Sequence, residues 1–147
     1  MDTGDCDSFL RLLGRFHTLR GTTLSWDKRQ ADGEAEMKKA LAVLETLAQQ
    51  NPEDVVIQQQ LLHTYTEASS LYEELNDELS FEFMQKARAL VEDLAAKDAL
   101  NVQAQQAQAQ TYSRLGLLAF RLHRPETISY LEKSPCPVDK AGAERAA

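Results

Sequence analysis

Residues 40–75, ALAVLETLAQQNPEDVVIQQQLLHTYTEASSLYEEL, decide the architecture, because the chain states this stretch twice. Moved on by 47 residues (87 − 40 = 47), it lies without a gap on residues 87–122, ARALVEDLAAKDALNVQAQQAQAQTYSRLGLLAFRL. Twelve positions then coincide, among them Glu45/Glu92, Gln58/Gln105, Gln59/Gln106, Thr64/Thr111 and Tyr65/Tyr112. About three matches are expected by chance in so Ala-, Leu- and Gln-rich a chain, so the stretch reads as an internal repeat.

Inside the repeat the periodicity is helical. Met37, Ala40, Leu41, Leu44 and Leu47 recur at three-and-four spacing, and so do Phe81, Met84, Ala87, Leu90, Val91 and Leu94. Between the two helices of the first copy, Asn51 reads as an N-cap, Pro52 as a first helical residue, and Glu53 and Asp54 as partners of the positive helix end. The following helix carries Val55, Leu61, Leu62, Tyr65, Ala68, Leu71, Tyr72 and Leu75. Asn101 repeats the capping signal before a fifth helix, in which Ala residues keep helix propensity high through the Gln-rich run 103–110.

Outward from the repeat the pattern loosens. Upstream, Phe9, Leu12, Leu13, Phe16 and Leu19 predict a first helix, weakened at Gly21-Thr22-Thr23, with Leu24 and Trp26 extending its apolar stripe. The polar segment 27–33 reads as a connection, and Glu34 as the start of the second helix. Downstream, Pro125 opens a sixth helix with Ile128, Tyr130 and Leu131, which Ser134-Pro135-Cys136-Pro137 breaks early. The expected organisation is a flexible start (1–7), a helical repeat domain (8–133) and a flexible tail (134–147). The expected fold is all-α: antiparallel hairpins, about six helices, stacked so that each covers the apolar stripe its neighbour leaves open.

Composition narrows the function. A net charge of −7 argues against nucleic acid and against an anionic membrane surface. No apolar run is long enough to span a bilayer, the acidic N-terminus lacks a signal-peptide layout, and two scattered cysteines fit a reducing cytoplasm. His17, His63 and His123 lie on three helices without ligand spacing, and no phosphate loop or nucleophile elbow occurs, so no enzyme activity, metal or cofactor is expected.

The pair Leu115-Gly116 followed by Ala119, and Ala68-Ser69 followed by Tyr72, resemble the small-residue helix contact of tetratricopeptide (TPR) repeats. The run 40–52, closing on Pro52, is similar to the end of a TPR second helix. The resemblance covers roughly residues 34–131, with a period longer than the usual ~34, and with Phe81 and Ile128 in place of the central Ala. It implies a non-enzymatic scaffold or adaptor that binds a protein or peptide on a concave face, as arrays attached to bacterial signalling proteins do.

On that face the expected partner-binding residues are Gln58, Tyr65, Gln105 and Tyr112, joined by Arg114 and Arg121. Glu73, Glu74, Asp77, Glu78 and Glu82 form an acidic tip with no Lys or Arg between His63 and Lys86, a solvated corner or a dock for a basic partner. Arg114, Arg121 and Arg124 share a helix face and can pair with a neighbouring hairpin, receive a partner or stay solvated. The short sixth helix predicts that Leu115, Leu118 and Leu122 are incompletely capped, hence a homodimer through the C-terminal hairpin. A second reading is therefore a self-associating or regulatory segment of a larger signalling protein, such as a serine/threonine kinase.

Overall fold

A computed structural model describes residues 3–73 and 75–134. Among the described residues all regular structure is helical: α1 Thr3–Trp26, α2 Gln30–Gln50, α3 Val55–Tyr72, α4 Asp77–Lys97, α5 Val102–Arg121 and α6 Thr127–Glu132. The tail expected beyond Ser134, with Cys136, lies outside the described residues. The helix limits keep the sequence offset: α4 begins 47 residues after α2 (77 − 30) and ends 47 after it (97 − 50), and α5 begins 47 after α3 (102 − 55). The chain forms two compact units, one ending at Leu71 and the other beginning at Tyr72.

In the first unit α1 and α2 run antiparallel and α1 and α3 parallel. Gly14 faces Leu44 and Gly21 faces Gly33, so contacts between α1 and α2 run in opposite directions along the chain. Gln60 Nε2 donates to Arg11 O (2.8 Å), the Thr18 and Thr64 hydroxyls lie 3.0 Å apart, and Thr22 donates to Glu67 (3.1 Å), so α1 and α3 rise together. The core is made by Met37, Ala40, Leu44, Leu47, Ile57, Leu61 and Ala68.

The second unit repeats the plan. Phe81, Met84, Ala87, Val91 and Leu94 of α4 and Leu115, Leu118 and Ala119 of α5 are buried. The short α6 is held by Tyr130, which accepts a hydrogen bond from Gln85 Nε2 (2.7 Å) and packs edge-on against Phe81. Gly116 lets α6 approach: a Cβ there would stand 2.5 Å from Leu131 Cδ2.

Four local expectations are corrected. Helix α1 begins at Thr3, and it passes through Gly21-Thr22-Thr23 unbroken. The Thr23 hydroxyl is satisfied inside the helix on Leu19 O, and the single Thr22 hydroxyl proton is within reach of both Thr18 O and Glu67. Gly21 is there for packing: a Cβ would sit 3.0 Å from Gly33 O and 3.3 Å from Met37 N. The α1–α2 connection shrinks to residues 27–29, because Lys28 takes φ 60° and lets Arg29 N reach back to Leu24 O (2.9 Å), a Schellman closure. Finally, Asn51 closes α2, its amide donating to Leu47 O (3.1 Å), while Asp54 Oδ1 caps α3 by accepting from Val56 N and Ile57 N. Asp54 is the repeat counterpart of Asn101 (101 − 54 = 47), whose Oδ1 accepts from Ala104 N.

Candidate partner-docking face

The polar residues that recur in the repeat have internal duties. Gln58 is buried and its amide donates to Pro52 O; Gln105, exposed at the surface, makes the equivalent bond to Ala99 O (2.5 Å). These amides sit on the connection between two helices and close its carbonyls. Thr64 and Thr111 are buried and bond back to Gln60 O and Ala107 O.

Tyr65 and Tyr112 are buried, and each phenol donates across its hairpin to the repeated carboxylate, Tyr65 to Glu45 (2.8 Å) and Tyr112 to Glu92. Burial, reinforced by that carboxylate, pushes the Tyr112 phenol up to about 12 and drives Tyr65 upward as well. The recurring Glu, Thr and Tyr positions and Gln58/Gln105 thus preserve a packed hairpin with its hydrogen bonds. Only the exposed Gln59 and Gln106 of the repeated glutamines stand outside this account.

Arg114 and Arg121 meet the acidic tip. Arg114 pairs with Glu73 (3.2 Å), Arg121 with Glu73 (3.3 Å) and with Asp77, and Arg124 with Glu78 (2.5 Å). The hydrogen bond to Asp77 holds the Arg121 guanidinium above its ordinary pKa. Glu73, Asp77 and Glu78 of the acidic run are thus paired with arginines from α5 and the turn after it. The two charged patches expected to select a partner face each other.

The C-terminal stripe is also covered. Leu115 and Leu118 are buried and Leu122 is partly so. Tyr130 of α6 reaches the Tyr112 ring and Gly116 brings Leu131 close, while Leu117, Phe120 and Ile128 of the same hairpin stand exposed.

Five of the large exposed apolar side chains lie on α1. Phe9, Leu12, Phe16, Leu19 and Trp26 are between 55% and 82% exposed. Beside them, α1 and α3 enclose an open cleft of ≈ 310 Å³ lined by Arg15, Thr18, Leu19, Val56, Gln59, Gln60, His63 and Thr64. Thr18 and Thr64 form its polar floor through their hydroxyl contact, and Val56, Gln59 and His63 stand exposed along its α3 wall. A separate, smaller cleft (≈ 140 Å³) lies near the start of both helices, between Gly4, Asp7, Ser8 and Arg11 and the cap Asp54 with Ile57.

Family models, curated proteins and solved structures give no match to this chain.

The α1 edge of the face is anchored from behind. Glu36 is buried on α2 and accepts from His17 (2.6 Å) and Lys39 (3.0 Å), with Arg20 3.8 Å away. These donors, His17 first, hold its carboxyl below the ordinary range against the opposing effect of burial. Among the described residues no group of three or more His, Cys, Asp or Glu is placed to hold a metal ion. Nor is any described helix long and apolar enough to cross a membrane.

Sequence reasoning missed the α1–α3 face because it searched the repeated positions. The usable signal was the opposite one: Gln59 and His63 stand next to Gln60 and the buried Thr64 at helical spacing.

Proposed function

We propose that the chain is a non-enzymatic protein-interaction module, a scaffold or adaptor of TPR-like kind acting in the cytoplasm. It binds a peptide or helix on the α1–α3 face. The observation that carries this reading is the open cleft between two parallel helices, bordered by large exposed apolar side chains. Its lining offers amide, hydroxyl, imidazole and guanidinium groups with aliphatic walls, a mixture suited to a polypeptide backbone and its side chains.

The residues expected to bind divide by role on this reading. Gln58 and Tyr65 shape α3 from within, and Gln59 and His63 meet the partner. Gln105, Tyr112, Arg114 and Arg121 serve the second unit in the same structural way, and the partly exposed arginines remain available to tune selectivity.

A photo-crosslinking residue placed at Gln59 or at His63 tests this in cells. Discrete adducts are expected from both positions, and none from the same residue at Lys38, exposed on α2. Equal crosslinking from all three, or none from the cleft, removes the reading.

A further inference from the structure

The exposed apolar residues of α1 are not scattered. Phe9, Leu12, Phe16, Leu19 and Trp26 fall three, four, three and seven apart, with exposed Thr23 completing the sequence, so they occupy the a and d positions of a heptad over residues 9–26. The helix's inner edge is made of small residues: Gly14 against Leu44, Gly21 against Gly33, Thr18 against Thr64. Small residues draw α1 tightly onto its own unit and leave the large side chains outside. Such a seam represents several hundred Å² of contiguous apolar surface, the scale at which exposure marks an interaction site. Three of its five large residues are aromatic, the type that anchors interfaces.

Charge selects the occupant. The protein carries −7 overall, yet residues 8–26 contain Arg11, Arg15 and Arg20 and no Asp or Glu. With Phe9 at a, Arg15 falls at g and Arg20, half-exposed and 3.8 Å from Glu36, at e, the positions that flank a coiled-coil seam. A second copy of α1 in parallel would set Arg15 of one chain against Arg20 of the other, twice, a like-charge clash. A helix with Glu or Asp at those flanks meets complementary charge along both edges.

We propose that the heptad seam of α1, flanked by Arg15 and Arg20, receives an amphipathic α-helix of another protein whose flanking positions are acidic. This deepens the interaction reading above and rests on it, naming the partner's chemistry. The partner's apolar stripe packs on Phe9, Leu12, Phe16, Leu19 and Trp26, and its acidic edge lies along the arginines.

Trp26, the chain's single tryptophan, stands on the seam and reports docking by a blue shift of its emission. The probes are two synthetic peptides of about three heptads, with identical Leu at a and d, carrying Glu in one and Lys in the other at e and g. The Glu peptide is expected to give a saturable shift, the Lys peptide to bind at least roughly tenfold more weakly, and added salt to narrow the difference. Phe16→Asp with Leu19→Asp should abolish the shift while circular dichroism stays unchanged, because both residues are exposed. Arg15→Glu should shift the preference towards the Lys peptide.

Equal binding of the two peptides, or binding of neither, overturns the proposal. So does a dimer, seen by light scattering without peptide, that Phe16→Asp with Leu19→Asp dissociates, since a second copy would then cover the seam. If both peptides fail while cleft crosslinking at Gln59 and His63 persists, this proposal falls and the interaction reading survives. If crosslinking fails as well, both fall.

Discussion

His123 shows how one residue can be spent on geometry. It holds φ 53° just after α5, where it allows Arg124 N to reach Ala119 O (2.8 Å) and His123 N to reach Phe120 O (3.0 Å). A side chain in this left-handed region costs about 1–2 kcal/mol, and glycine returns about 0.4–1 kcal/mol of that in unfolded-state entropy. His123→Gly is therefore expected to stabilise the protein by about 0.5 kcal/mol, read as a higher midpoint in urea with an unchanged slope. A destabilised variant would mean that the imidazole makes a contact worth more than the strain.

At the scale of the helix, glycine content separates two kinds of position. A Cβ on Gly33 would stand 2.9 Å from Gly21 O and 3.2 Å from Ser25 N, both backbone atoms that cannot rotate away. Gly33→Ala should force α1 and α2 apart and cost about 2 kcal/mol. Gly4, also helical, has nothing within 4 Å of its would-be Cβ, so Gly4→Ala should stabilise by about 0.5–1 kcal/mol. Thermal unfolding of the two variants should move in opposite directions. A common shift would show that helix propensity, rather than the close crossing, governs both. The same crossing accounts for the exposed seam, because an interface built from Gly14, Thr18 and Gly21 has no room for Phe16 or Trp26.

For the whole molecule, buried ionisable groups set limits on stability at both ends of the pH scale. Each unit contains a tyrosine–glutamate bond, Tyr65–Glu45 in the first and Tyr112–Glu92 in the second. Both phenols are raised in the fold, so their contribution is fully present below the ordinary phenol value near 10 and is lost as pH rises towards about 12. Glu36 is lowered, so its contribution is present above the ordinary carboxylate value of about 4.3 and is lost as pH falls through the lowered one. Two of the four tyrosines should therefore develop phenolate absorbance only together with loss of helical dichroism. Tyr65→Phe and Tyr112→Phe should each remove one such late-titrating phenol. Free titration of all four before unfolding would contradict the buried pairs.

How much was legible in the chain follows from which interactions are local. The number of helices, the early end of α6 and the Asn101 cap rest on residues within one or two turns of each other, and the 47-residue offset on identities read along the chain, so the sequence by itself determined them. Neighbours such as Gln58 and Gln59 are about 100° apart on a helix, and only the packing of α3 decided that the first turns inward and the second outward. Likewise Arg121 meets Glu73 and Asp77 across 48 and 44 residues, a pairing that composition records as two unrelated charged patches. Apolar periodicity announced a stripe on α1. Tertiary structure decided that the stripe faces out, because close approach of helices selects small side chains for the interface and leaves the large ones exposed.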